Sequence, residues 1–112
     1  MTDKKIINAK IEHTMLGTAD YGYMSFVLTL KFNGCHQGFG TYDLRFFGVG
    51  LIEKILSIVG VSTWEELEGK CIRIEKGGLN STITRIGNLL DDKWLDMEQL
   101  AEIIKNKKET QR

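Results

Sequence analysis

Three features of this 112-residue sequence predict an α+β domain. Apolar and polar residues alternate over 7–13 and again over 23–32, the period of half-buried strands. Asn33-Gly34 follows the second run directly and is a preferred dipeptide of the two-residue type I′ hairpin turn. Over 47–59 the apolar spacing becomes helical. Antiparallel strands interrupted by helices, without regular alternation, imply a curved antiparallel sheet of about five strands, three N-terminal and two C-terminal. One longer central helix, one short helix and a C-terminal helix complete it. Residues 1–106 are expected to form one domain and 107–112 a polar tail that frays.

In the first strand Ile7, Ala9 and Ile11 alternate with Asn8, Lys10 and Glu12. A turn region runs from Gly17 to Gly22, and then Met24, Phe26, Leu28, Leu30 and Phe32 alternate with Tyr23, Ser25, Val27, Thr29 and Lys31. A two-residue loop at Asn33-Gly34 fixes the hairpin register: Phe32 opposite Cys35, Leu30 opposite Gln37, Leu28 opposite Phe39 and Phe26 opposite Thr41, all facing the core. The other face then pairs Lys31 with His36, Thr29 with Gly38, Val27 with Gly40 and Ser25 with Tyr42. Leu51, Ile52, Ile55, Leu56 and Val59 form the stripe of the central helix, and Gly60 stands where a glycine stop belongs. Ser62/Glu65 or Thr63/Glu66 supplies a capping box for the short helix, with Trp64 a packing plug and Gly69 the stop. Residues 70–76 and 81–86, joined through Gly77-Gly78-Leu79-Asn80, read as a second hairpin with Ile72, Ile74, Ile83 and Ile86 inward and Arg73, Glu75 and Arg85 outward. Asp96 caps a last helix over 97–106, with Leu100, Ile103 and Ile104 as its stripe.

With 42% hydrophobic and 27% charged residues, the chain can bury a small core. No apolar run reaches membrane-spanning length and no signal peptide is recognisable, so a soluble, cytoplasmic protein is expected. Lys+Arg and Asp+Glu balance at 15 each, which removes the simplest case for a phosphate-tracking nucleic-acid binder. Cys35 and Cys71 lack the spacing of a disulfide framework or a zinc site and are expected as two buried reduced thiols.

The most unusual surface is the outer face of the first hairpin. Gly38 and Gly40 on one face of a strand leave it bare, which serves either sheet curvature or the close approach of a ligand. Around that floor Tyr23, Lys31, His36 and Tyr42 offer stacking faces, an imidazole and a positive charge suited to a nucleotide-like or anionic ligand, with Arg45 as a phosphate contact. Arg73 and Arg85 are further candidate phosphate contacts. No cofactor, metal site or catalytic residue is assigned. Cys35 and His36 point to opposite faces of a strand, so the only metal set worth weighing joins His36 to His13 and Glu12 or Asp43. Gly38-Phe39-Gly40 lies inside a hairpin and is not a dinucleotide fingerprint. The serines lack an elbow motif, which leaves a small hydrolase using His36 or His13 as a remote reading.

Gln37-Gly38-Phe39-Gly40-Thr41-Tyr42-Asp43-Leu44 and Val61-Ser62-Thr63-Trp64-Glu65-Glu66-Leu67-Glu68-Gly69-Lys70-Cys71-Ile72-Arg73-Ile74 resemble a family of small proteins encoded by bacteriophages and prophages. A Met15-Leu16-Gly17 turn, Ile86-Gly87 and Asp92-Lys93-Trp94 extend the resemblance over nearly the whole chain. It implies a setting in the host bacterial cytoplasm and brings no catalytic residues. Small phage proteins without catalytic motifs often act by binding, which leads to a non-enzymatic accessory protein that antagonises host antiviral defence. Its partner is a host defence protein or a sequestered nucleotide-type ligand, and an unpaired hairpin edge predicts a homodimer. The alternative is a nucleic-acid-associated accessory protein of phage replication or recombination, using Arg73, Arg85 and the basic tail.

Overall fold

The computed structural model describes residues 5–18, 22–77 and 82–110. It contains one six-stranded antiparallel sheet in the order β3-β2-β1-β4-β5-β6, with three helices, an α+β architecture as expected. The strands are β1 (Lys5–Gly17), β2 (Ser25–Phe32), β3 (Cys35–Gly40), β4 (Cys71–Lys76), β5 (Arg85–Gly87) and β6 (Trp94–Asp96). The helices are α1 (Leu44–Phe47), α2 (Val49–Val59) and α3 (Met97–Thr110), and a 3₁₀ turn spans Trp64–Leu67.

β1 is long because its two halves have different partners. Its first half pairs with β4, from Lys5↔Lys76 to Lys10↔Cys71, and its second with β2, from Lys10↔Lys31 to Gly17↔Ser25. A bulge between Ile11 and His13 shifts the alternation by one residue, so the inward set passes from Ala9 and Ile11 to the Thr14 and Leu16 positions. The expected strand stops at His13 for that reason, and Met15-Leu16-Gly17 is strand rather than turn. Residues 19–21 of the expected turn and 78–81 of the second connection lie outside the described residues.

The first hairpin has the expected register, Phe32↔Cys35 through Val27↔Gly40, closed by Asn33 and Gly34 at φ 51° and 76°. In the second, Ile74 pairs with Ile86 and Arg73 with Gly87. The sixth strand, β6, is too short to show a period, and it is held to β5 by Ile86↔Leu95 and its neighbours. The helix expected over 47–59 is α2, which begins at Val49 because Gly48, at φ 81°, ψ 172° in a region open essentially only to glycine, sets it off from the short α1, an element not expected. Gly60 closes α2 in the left-handed conformation, its N–H donating to the Leu56 carbonyl over 2.8 Å. α3 starts where expected, with Asp96 Oδ1 accepting from the Glu98 and Gln99 N–H groups at 3.0 and 3.2 Å, and continues through 107–110 of the stretch expected to fray.

One core lies between the sheet and the helices. Ile11, Phe26, Leu28, Leu30, Ile72, Ile74, Ile83 and Ile86 are fully buried or nearly so, and α2 adds Leu51, Ile55 and Ile58. Each side chain of this size stabilises the fold by roughly 1.5–3 kcal/mol through burial. Trp64 is the expected plug, its ring edge-on to Phe26 at 6.0 Å. The two cysteines are exposed, not buried. Cys35 stands at the hairpin end beyond the reach of the core, and Cys71 points away from it because Ile72 and Ile74 take the inward positions of β4.

Candidate functional site: a basic row on the outer face of the sheet

Register alone assembles the site. Cys71 of β4 pairs with Lys10 of β1, Lys10 with Lys31 of β2, and Lys31 with His36 of β3. Neighbouring strands are about 4.8 Å apart, so these four side chains form a row across the sheet on the face away from the core. All four residues are exposed. Two lysines placed directly opposite each other repel. Neither Lys10 nor Lys31 makes an ion pair among the described residues, and the carboxylate at this place, Glu12, is 3.5 Å from Nε2 of His36. A depression of about 480 Å³ lies beside the lysines, lined by Lys10, Glu12, Lys31, Asn33, Gly34 and Cys71 among others. That volume is within the range of small-ligand sites.

The two glycines of the expected floor differ. A Cβ on Gly40 would stand 2.1 Å from the Phe26 carbonyl oxygen, and its φ is 149°, so the approach of β2's own backbone accounts for it. A Cβ on Gly38 would meet only Val27 Cγ1, at an ordinary 3.6 Å, and Gly38 is exposed. Nothing within the fold requires a glycine there.

The other expected site residues divide into separate places. Gly40 and Thr41, the latter at φ 62°, end the alternation of β3, while the Thr41 N–H donates to the Phe26 carbonyl at 2.7 Å. Tyr42 therefore lies on the core side, against Phe39 at 5.7 Å and Phe47 at 5.5 Å, and not on the groove face assigned to it from alternation. Ser25 meets it only through a 2.8 Å hydrogen bond from Oγ to the Tyr42 carbonyl. Burial raises the Tyr42 pKa, and the charges of Glu98 and Asp96 raise it further.

Tyr23 and Arg45 come together, the guanidinium 4.9 Å from the ring centroid. They stand at the start of β2, about 20 Å along the strand from Lys31. Arg45 is also held by Asp43, with Nε to Oδ1 at 3.0 Å and Nη2 to Oδ2 at 2.8 Å, and this hydrogen bonding raises its pKa. Beside it Leu16, Met24, Leu44, Val49 and Ile52 line an apolar depression of about 390 Å³.

Arg73 and Arg85 converge on Trp94, at 5.0 and 4.4 Å from the ring. Arg73 donates to the Asn88 and Asp91 carbonyls at 2.7 Å each, and Arg85 to Glu75 at 2.8 Å. The ring lies over Gly87, where a Cβ would be 2.6 Å from it. Both guanidiniums thus brace the β5–β6 end of the sheet.

Lys10 is a site residue that reading the hairpin alone misses. Lys10 joins Lys31 only through the β1–β2 register, which depends on the bulge. His13 and His36 each face one glutamate at 3.5 Å, and no group of three His, Cys, Asp or Glu suited to a metal occurs among the described residues. No described helix is long and apolar enough to cross a membrane. Comparison with protein-family models, curated proteins and solved structures finds no match to this chain.

Proposed function

We propose that this chain is a non-enzymatic binding protein that holds a small anionic ligand of the nucleotide class on the outer face of its first hairpin. In this reading it serves a bacteriophage by keeping that ligand from host antiviral defence. The observation that carries it is the Lys10–Lys31 pair, two like charges directly opposite each other, neither of them in an ion pair among the described residues. A phosphate over the pair relieves their repulsion and gains charge-assisted hydrogen bonds from both. His36 at the end of the row adds a donor, and Gly38 leaves room for a flat base to approach the sheet. The phage setting rests on the sequence resemblance.

Arg73 and Arg85, on which the nucleic-acid alternative depends, already have acceptors within the fold. Capping of a host protein is favoured by one observation, the apolar depression where Leu16, Met24 and Val49 are 40%, 44% and 74% exposed.

Titration calorimetry with mono-, di- and cyclic nucleotides, followed by chromatography of the recovered ligand, tests the proposal. Binding of at least one nucleotide, unchanged on recovery and weakened about tenfold or more by Lys31→Glu or Lys10→Glu, is expected. Conversion of the ligand, or affinity indifferent to both substitutions, contradicts it.

A further inference from the structure

β3 is an edge strand, and the hydrogen-bond phase of the hairpin settles what its open side offers. The Thr41 N–H donates to the Phe26 carbonyl, and Cys35 and Phe32 flank the two-residue turn. In an antiparallel ladder hydrogen-bonded and non-hydrogen-bonded pairs alternate, so Cys35, Gln37 and Phe39 spend their backbone groups on β2. His36 and Gly38 then direct both N–H and C=O outward, away from the sheet. The protections that an edge strand carries in itself are missing among the described residues: β3 is Cys-His-Gln-Gly-Phe-Gly, with no lysine, no carboxylate and no proline, and no bulge interrupts its register with β2.

We infer that this edge pairs with the same edge of a second copy of the chain, antiparallel and centred on Gln37. Three features favour a second copy as occupant. A strand without formal charge meets itself without repulsion. Antiparallel pairing of a strand with itself is a two-fold arrangement and closes as a dimer. The bend at Gly40 and Thr41 limits the straight edge to 35–39, and only centring on Gln37 lets both His36 and Gly38 bond fully, each to the other residue of the second copy. In that register the imidazole of His36 stands beside Gly38 of the second copy, whose bare Cα leaves it space. The two six-stranded sheets become one. This inference does not depend on the ligand reading, since it is measured as mass and amide protection without any ligand.

Light scattering behind size exclusion, over a dilution series, tests it together with amide exchange. Wild type is expected near twice 12.7 kDa, with the His36 and Gly38 amides protected in the dimer. Gly38→Pro removes one outward N–H and leaves the β2 ladder intact, so it is expected to give a monomer with a native circular dichroism spectrum. Gln37→Cys, with Cys35 and Cys71 replaced by serine, is expected to form a disulfide-linked dimer on mild oxidation, since Gln37 faces its own copy at a non-hydrogen-bonded position. A wild-type monomer at every concentration, rapid exchange at both amides, or a dimer lacking the Gln37→Cys cross-link overturns the inference. The exchange measurement needs no variant, so it decides the matter even if Gly38→Pro fails to fold.

Discussion

At the scale of single residues, two glycines two positions apart serve different ends. Gly40 is dictated by the fold: any side chain there strikes the Phe26 carbonyl, and the backbone is in a conformation L residues rarely adopt. Gly40→Ala is expected to cost about 2–4 kcal/mol in urea unfolding, the range for backbone strain combined with a forced shift. Gly38→Ala has room for its methyl and reduces the freedom of the unfolded chain, so it is expected to be neutral or to stabilise by about 0.5–1 kcal/mol. A large loss from both substitutions would show that Gly38 is also a packing glycine. Sequence alone cannot separate the two, because each is simply a glycine on the same strand face. The direction of the absent Cβ distinguishes them.

At the scale of elements, local chemistry was legible wherever it is local. Asn33-Gly34 specified the hairpin and its register, Gly60 the end of α2 and Asp96 the start of α3. The capping glutamate of the 3₁₀ turn is Glu66, which accepts from the Ser62 and Thr63 N–H groups at 3.0 Å each and from Thr63 Oγ1 at 3.2 Å. These hydrogen bonds hold its carboxyl below the usual carboxylate range, the Ser62 backbone contributing most. Because the folded pKa is depressed, the stabilisation is present above the unfolded carboxylate value and is lost as pH falls through the folded one. Glu66→Gln is expected to flatten that part of the acid unfolding profile; an unchanged acid limb would mean that the carboxylate charge is not what the turn uses. Non-local features escaped the sequence. The bulge at 11–13 hides half of β1, Gly48 sets a separate short helix before α2, and β6 is a strand only because β5 lies beside it. The inversion at Gly40 and Thr41 carries Tyr42 from the expected groove to the core, and no alternation rule foresees it.

At the scale of the whole molecule, the sheet sorts its charges. Arg73 and Arg85 are bound into a brace around Trp94, whereas Lys10 and Lys31 stand opposite each other outside any ion pair among the described residues, with Glu12 of the same depression turned to His36. The candidate site was half legible: Lys31, His36 and Gly38 follow from the hairpin, but Lys10 needs the β1 register and Tyr42 belongs to the core. Tyr42 follows β3 at one edge, while Asp96 and Glu98, which help to raise its pKa, belong to β6 and α3 at the other. A raised pKa means that stability is intact below about 10 and is lost as pH rises through the folded value. Tyr42→Phe is expected to remove that alkaline loss in a pH series of thermal melts, and an identical alkaline limb would show that the hydroxyl is not desolvated.

The reading of the chain as a ligand-holding protein is tested most directly by native mass spectrometry of wild type and Lys31→Glu, each purified gently from a bacterial host that contains the ligand. The basic row predicts a small phosphate-bearing mass retained by wild type and lost from Lys31→Glu. A bare wild-type protein that also takes up no added nucleotide, or a ligand retained equally by both, would contradict it.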